Sequence, residues 1–418
     1  MSLRRVRYEV AGRVTGPFLA ALEGWQRRLR RRGRGRTGAF GPPLESARRL
    51  KELMTVHYYQ GRSADGAVPV AWVTSGFPVE PLRALGFHAV YPENHAALCG
   101  VQRLVPGLSD AAEAAGYSRD LCSYARTDLG SVLTGRTPVG RLPRPDLLAC
   151  CTNICQTVLY WYRALAEHLK VPLVLVDTPF VYGHARAHDD RYVRDQLDEL
   201  VCAAERISGR RLDRERLVEV TRLAREGSAL WGACLATGKH RPSPWTAIDG
   251  FFHMAPIVSL RGTEACNAYY RQLRDELEDR VRRGVGGIRE ERHRLLWDNL
   301  PIWFAVRELS TLFAERGCNF VCTSYTNAWA EAGARIDPAD PMGSAADAYT
   351  HIILNQDLPN RLGILRRLGR EYGVDGAVLH SDRSCKPYSI GQVDLRARLA
   401  EALGIRVLLL EADHSDPR

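Results

Sequence analysis

The sequence predicts an α/β protein built from parallel strands and helical crossovers. Three observations carry this. Short apolar runs rich in Val, Leu and aromatic residues alternate with longer amphipathic stretches. The alternation occurs twice along the 418 residues, with about four strands each time. Several of the runs end in loops carrying Cys, His, Asp or Glu, as chemistry-bearing loops do at the C-terminal ends of parallel strands.

Taken in order, the first 65 residues read as helical. Phe18, Leu22, Trp25 and Leu29 recur at helical spacing, a Gly-Arg linker follows, and a second helix covers 45–59. Strands are expected at 68–73, 87–91, 147–151 and 173–176, with a helix starting near Val79. Residues 196–237 are long, charged and amphipathic, hence helical, and 264–283 repeat that texture. A second strand series is expected at 294–297, 320–323, 376–379 and 407–410. The organisation is therefore a helical segment (1–65) and two Rossmann-like, flavodoxin-like halves (66–245 and 246–418), each with a mostly parallel four-stranded sheet. A cleft lies between them. The chain stops just after an apparent core strand, where a doubly wound sheet usually carries a covering helix, so either that edge is capped otherwise or the chain is shorter than its relatives.

Composition narrows the classes. Hydrophobic residues make up 45% and charged residues 25%, ordinary for a globular protein of this length. No apolar run approaches the ~20 residues that cross a bilayer, and the N-terminus lacks a secretory pattern. With eleven cysteines, an odd count, these features point to a reducing cytoplasm and to thiols that stay free or bind metal. The net charge of +10 is mostly local. Arg27, Arg28, Arg30, Arg31, Arg32, Arg34 and Arg36 supply seven charges, and without them the balance is +3. No aromatics interleave with these arginines, so a nucleic-acid interface is not expected. No glycine-rich phosphate loop is present either; Gly232 to Lys239 has the wrong glycine spacing.

The most telling stretch is His380-Ser381-Asp382-Arg383-Ser384-Cys385-Lys386-Pro387, a thiol between basic residues after a strand. Cys99, after Pro92-Glu93-Asn94, and Cys122, in Ser118-Arg119-Asp120-Leu121-Cys122, read as similar loop thiols. Each is expected to follow a strand or open a helix, with Arg119, Arg383 and Lys386 lowering the thiol pKa. Three such thiols make an incomplete cage for an iron–sulfur cluster, with one iron open for chemistry. Cys151 and Cys155 follow a strand and could line the same cavity. The remaining cysteines read as small buried hydrophobes. Glu93, His95 and His380 lie beside these thiols and are candidates for proton transfer. Ser123 and Ser384 could donate to cluster sulfurs, and Arg261 could contact a phosphate or cap a helix.

At these residues the chain resembles the 2-hydroxyacyl-CoA dehydratase / benzoyl-CoA reductase family, in its cluster-bearing subunits. The resemblance rests on Ser75-Gly76-Phe77-Pro78-Val79-Glu80-Pro81, Tyr91-Pro92-Glu93-Asn94-His95, Gly116 to Tyr124, Cys151-Thr152-Asn153-Ile154-Cys155, Leu260-Arg261-Gly262-Thr263 and the Cys385 segment, together spanning 66–418. It implies a [4Fe–4S] cluster on three cysteines, mapped to Cys99, Cys122 and Cys385, with Cys151 or Cys155 as extra ligands in some relatives. It implies a dimer with a paralogous subunit or a second copy. A separate ATP-hydrolysing iron–sulfur activator would inject one low-potential electron. In the dehydratases that electron reduces the thioester carbonyl of a 2-hydroxyacyl-CoA to a ketyl radical, the 2-hydroxyl leaves with loss of a β-proton, and the electron is returned. In benzoyl-CoA reductases the electrons stay in the product. Dehydration is the leading expectation and aromatic ring reduction the alternative. A partner subunit holding a cluster without catalysis is a third reading. A ligand-binding protein without redox chemistry is a fourth.

Overall fold

The computed structural model describes residues 2–30 and 38–418. The first sheet contains β1 (Val70–Val73), β2 (His88–Val90), β3 (Leu147–Cys151) and β4 (Leu173–Val176), in the order β2-β1-β3-β4. The second contains β5 (His293–Asp298), β6 (Cys318–Thr323), β7 (Gly376–Asp382) and β8 (Arg406–Ala412), in the order β6-β5-β7-β8. Every pairing between these strands is parallel, and the second sheet repeats the strand permutation of the first. All eight lie where the apolar runs placed them. β1, β2 and β3 are buried at every position because helices cover both faces, which is why they read as unbroken apolar runs rather than alternating ones. β8 is an edge strand and is correspondingly half exposed.

This strand order decides where a site can form. In each sheet the chain winds one way from the first central strand and the other way from the second, which opens a crevice beyond their C-terminal ends. In the first sheet that crevice is bounded by the residues after β1 (Thr74, Ser75, Gly76) and after β3 (Thr152 to Cys155). In the second it is bounded by Asn299 after β5, at a left-handed φ of 85°, and by Arg383, Ser384 and Cys385 after β7. Cys155, after β3, lies within charge reach of Cys385, after β7. One core cluster runs through both halves, joining Trp72, Val90 and Leu148 of the first sheet to Trp297, Phe320 and Val378 of the second.

One difference from the expected elements has a simple cause. The stretch 196–237 is not one helix. Gly209, left-handed at φ 66°, ends Ala187–Ser208, and the Asp213 carboxylate caps Arg214–Ala236 by accepting from the Glu215 and Arg216 amides. The C-terminal edge carries no helix; residues 413–418 fold back instead, as described below. At the other end, helices Leu3–Val10 and Gly16–Arg30, joined by a π-helical turn Ala11–Thr15, pack on Ser46–Gly61 through the buried Ala11 and Ala20. Of the arginine-rich run, residues 31–37 lie outside the described residues. Among the described residues no helix is long and apolar enough to cross a membrane.

Candidate active site between the two sheets

The cysteines divide by where they sit on helices. Cys122 is the N-cap of Ser123–Thr134, a 12-residue helix, and Cys155 is the N-cap of Gln156–Leu169, a 14-residue helix. Cys385 stands at the N-cap of the short turn Lys386–Ser389, directly after β7. All three are partly buried and flank the core cluster shared by the two halves. They are close enough for their charges to interact. The Cys385 thiol is pushed well up, first by burial, then by Asp382, Cys122 and Cys155. The Cys155 thiol is pushed up to about 11 by burial and then by Cys122.

Cys99 is placed differently. It lies in the last turn of the helix Pro92–Val101, wholly buried against Val105 and Leu108. Its nearest polar neighbour is the His95 ring, Nε2 to Sγ 3.8 Å, and burial with the Asp128 charge pushes the thiol up to about 12. The structure brings Cys122 and Cys385 together with Cys155, and does not bring Cys99 to them. Cys151 faces the opposite side of β3, in the core cluster with Ala71 and Val176, while Cys150 shares the cluster that Cys155 flanks. The basic residues expected to activate Cys385 are engaged elsewhere: the Arg383 guanidinium is 2.9 Å from Glu411, and Lys386 Nζ donates to the Arg383 carbonyl at 2.8 Å. That is why burial, not cation, dominates this thiol.

The three proton-transfer candidates also separate. Glu93 is the second residue of Pro92–Val101 and is buried. Its Oε2 accepts from the Ser75 amide (2.9 Å) and the Ser75 hydroxyl (3.1 Å), so it bridges to the loop after β1. Burial pushes its carboxyl up to about 7 against those bonds. It lies within charge reach of Cys155 and of Tyr325, and Tyr325 in turn lies within reach of Cys385. His95 is buried beside Cys99 instead; its Nε2 is 2.7 Å from Thr137 Oγ1, and burial lowers it to about 4. His380, buried in β7, donates from Nδ1 to the Leu300 carbonyl at 2.8 Å, and burial lowers its pKa as well.

Behind Cys122 lies a buried ionic group that sequence reasoning missed. His414 Nδ1 is 2.7 Å from Asp382 Oδ2, and its Nε2 is 2.8 Å from Ser123 Oγ and 3.9 Å from Cys122 Sγ. Asp382 and Asp413 hold the imidazole pKa well above its ordinary value, against the opposing effect of burial. The Ser384 hydroxyl donates to Asp413 at 2.6 Å and accepts the Ser123 amide at 3.2 Å. Ligand atoms of Asp382, Asp413 and His414 lie within 4.8 Å of one another, which their ion pairing accounts for without a metal. The only sequence signal is a polar Asp-His-Ser-Asp tail directly after β8.

Two further braces fix the cleft. Asn153 Nδ2 donates to the Gly76 carbonyl (3.0 Å) and to the Tyr349 carbonyl (2.7 Å), pinning the loop before Cys155 to the other half. Arg261 is buried and engaged with Glu80 Oε1 (2.8 Å), the Phe77 carbonyl (3.0 Å) and the Tyr349 hydroxyl (2.5 Å), so it clamps the segment that follows Ser75 rather than reaching a phosphate. Cys122 and Cys155 stand where helix amide ends favour an anion, and both lie within charge reach of Cys385, a setting that suits a multi-atom cluster rather than one small ion.

Known proteins resemble the chain over most of its length. The family model described as 2-hydroxyglutaryl-CoA dehydratase, D-component, matches residues 74–418. The chain is 33% identical to the (R)-phenyllactyl-CoA dehydratase alpha subunit of Clostridium sporogenes over 84% of this chain and 85% of that one. It is 33% identical to the (R)-2-hydroxyisocaproyl-CoA dehydratase alpha subunit of Clostridioides difficile, over 88% and 90%. A benzoyl-CoA reductase subunit of Thauera aromatica is 32% identical, over 78% and 79%.

Proposed function

This chain belongs to the 2-hydroxyglutaryl-CoA dehydratase D-component family, and we propose on that premise that it is the iron–sulfur subunit of an enzyme that eliminates water from a 2-hydroxyacyl-CoA. The observation that carries the reading is the convergence of Cys122, Cys155 and Cys385 between the two switch-point crevices. These three, rather than the set with Cys99, would hold a [4Fe–4S] cluster. When bound, such a cluster supplies a low-potential electron to the thioester carbonyl, which makes the 2-hydroxyl expellable.

The chain's own residues do the rest. Glu93 is assigned the proton at the substrate's β-carbon. Its carboxyl, near 7, can both take and give a proton at neutral pH, and Ser75 fixes Oε2 so that the group enters the cleft in one orientation. His95 and His380 are better suited to support: each is held neutral by burial and bonded to a hydroxyl or a carbonyl. The buried walls formed by both sheets exclude water from a radical intermediate. The overall change is redox-neutral: water leaves and the electron is returned.

The proposal includes a second subunit, since the dehydratase relatives are alpha subunits, and an ATP-driven iron–sulfur activator as the electron source. It includes a cytoplasmic location and the division at 1–65, 66–245 and 246–418. The similarity to a benzoyl-CoA reductase favours a second reading, net reduction of an aromatic acyl-CoA. The test is direct. Anaerobically purified protein should hold about four irons and four sulfides per chain. With an activator and ATP it should convert a 2-hydroxyacyl-CoA to the enoyl-CoA. Consumption of benzoyl-CoA with uptake of electrons would instead establish the second reading. Absence of iron after anaerobic reconstitution would sink both.

A further inference from the structure

We propose that the outer face of residues 2–30 is a self-complementary docking surface, on which a second copy of this chain lays its own 2–30 segment in the antiparallel direction. The inference goes beyond the cluster reading and does not depend on it.

The segment has two unlike faces. Its inner side is built from small residues. Ala11, Gly16 and Ala20 are buried, and a Cβ added at Gly16 would stand 3.5 Å from both Tyr59 Cδ1 and Val56 Cγ1, so the helices close tightly on Ser46–Gly61. The outer side carries Leu3, Val6, Val10, Val14, Phe18, Leu22 and Trp25, each between 38% and 88% exposed. An α-helical residue turns the chain by about 100°, so Leu3, Val6 and Val10 share one sector of about 60°, and Phe18, Leu22 and Trp25 share another. In an unbroken α-helix Phe18 would be turned about 80° away from Val10. The π-helical turn Ala11–Thr15 takes up about one extra residue and brings the two sectors into line. The result is a single apolar stripe about 33 Å long. Scattered apolar side chains on a surface need no partner, but a contiguous stripe marks an interaction site.

The order of residues along the stripe identifies what covers it. The spacings are three, four, four, four, four and three, the same read from either end. Reversal about Val14 therefore sets Leu3 level with Trp25, Val6 with Leu22, Val10 with Phe18, and Val14 with itself. Each smaller side chain of one half meets a larger one of the other, as interdigitation requires. Charge follows the same symmetry. Arg4, Arg7 and Arg13 come level with Gly24, Ala21 and Thr15, and Arg5 with Glu23. A parallel pairing would instead set every arginine level with its own copy, which like-charge repulsion disfavours. A two-fold axis through Val14 makes the contact isologous, the form that closed dimers take. The seven side chains offer roughly 600–800 Å² per copy, close to the ~800 Å² that a standard interface takes from each partner.

The test is the assembled mass of the full chain, read by sedimentation at micromolar concentration. Val14→Glu places two carboxylates face to face on the two-fold axis, so it should raise the dissociation constant roughly 100-fold or more and halve the mass. Val10→Lys and Phe18→Glu should each do the same alone. Mixed in equal amounts they should pair again, because the new ammonium of one meets the new carboxylate of the other while the unchanged Val10 and Phe18 meet across the axis. All three sites are on the outer face, so circular dichroism and thermal unfolding should match the wild type. Iron per chain should be equal in every variant, which keeps this outcome separate from the cluster reading. Equal mass in the wild type and Val14→Glu overturns the inference, whether that mass is one copy or more, and so does failure of the mixed variants to pair. Binding of the wild type to phosphatidylglycerol vesicles that Val14→Glu abolishes, with both proteins monomeric in solution, would assign the stripe to a lipid surface. Release by Val14→Glu of a different subunit, rather than of a second copy, would assign it to that subunit. Either result overturns the proposal.

Discussion

Cys99 and Cys155 look alike in sequence, each a few residues beyond a buried strand, yet the structure puts them at opposite ends of helices. Cys155 stands at the N-cap of Gln156–Leu169, where the backbone of Val158 and Thr157 in the first turn favours the thiolate. Cys99 sits in the last turn of Pro92–Val101, where the carbonyl end of the dipole disfavours a thiolate. Burial raises both, to about 11 and about 12. One faces two other thiols and the other faces Val105 and Leu108. On the proposed assignment, what distinguishes the ligand Cys155 from the buried Cys99 is the helix end each occupies, not its distance in sequence from a strand.

The largest effect expected from this contrast is all-or-none. Cys122→Ser, Cys155→Ser and Cys385→Ser should each lose the iron of the anaerobic protein, while Cys99→Ala retains it, as read by iron and acid-labile sulfide per chain. Loss of iron in Cys99→Ala with retention in Cys155→Ser would reverse the assignment and break the comparison.

Next in size is Glu93, the carboxylate on the same helix as Cys99 but at its opposite end. Glu93→Gln should lower turnover by about 10²–10⁴ with iron retained. Because the folded carboxyl titrates near 7, the wild-type rate should rise with pH to a plateau above about 7, and the variant should lose that limb. Stability carries the complementary sign. A carboxyl whose folded pKa lies above its unfolded value near 4.5 favours folding below that pH, and the benefit is lost as pH rises through about 7. Asp128, raised to about 7 by burial, adds a slope of the same sign. Unfolding midpoints followed from about pH 4 to 8 should fall more gently in Glu93→Gln than in the wild type.

Much of the fold is legible in the sequence and the thiol set only partly so, for a common reason. Strands announce themselves through local composition: residues 147–151 are apolar because both faces of β3 are covered. Sheet order, which puts the loops after β1 and β3 side by side, is non-local and follows from the fold rule rather than from any run of residues. Cys99 is misplaced by its sequence context because Pro92 starts a helix at the strand's end. Seven residues at about 1.5 Å each then carry the thiol roughly 10 Å from the crevice. Cys155 has no such delay; its helix starts one residue later. His414 is invisible for the opposite reason, since its partners Asp382 and Ser123 are 32 and 291 residues away in sequence.

A smaller effect tests whether the cleft's shape depends on its clamp. Arg261 and Glu80 are both buried, and the pair holds the segment that follows Ser75. Arg261→Met leaves the Glu80 carboxylate without its guanidinium, which should cost about 3–5 kcal/mol in denaturant unfolding. Arg261→Met combined with Glu80→Gln should recover much of that loss. Equal losses in the single and double variants would mean that packing, not the uncompensated charge, is what Arg261 provides.

The smallest predicted change bears most closely on the opening contrast. Cys99 has no exposed surface and packs on Val105 and Leu108, so replacing its sulfur with a hydrogen leaves a small void in a tight cluster. Cys99→Ala should lower stability by about 1 kcal/mol, as deletion of one buried heavy atom does. Cys99→Val, which refills the void with an apolar group, should restore it with iron still bound. A thiol that can be exchanged for a methyl-bearing side chain without loss of metal is a core residue. The same exchange at Cys155 should abolish the metal while leaving the apo fold near wild-type stability, because that sulfur is held at a helix end facing the cleft rather than inside a packed cluster.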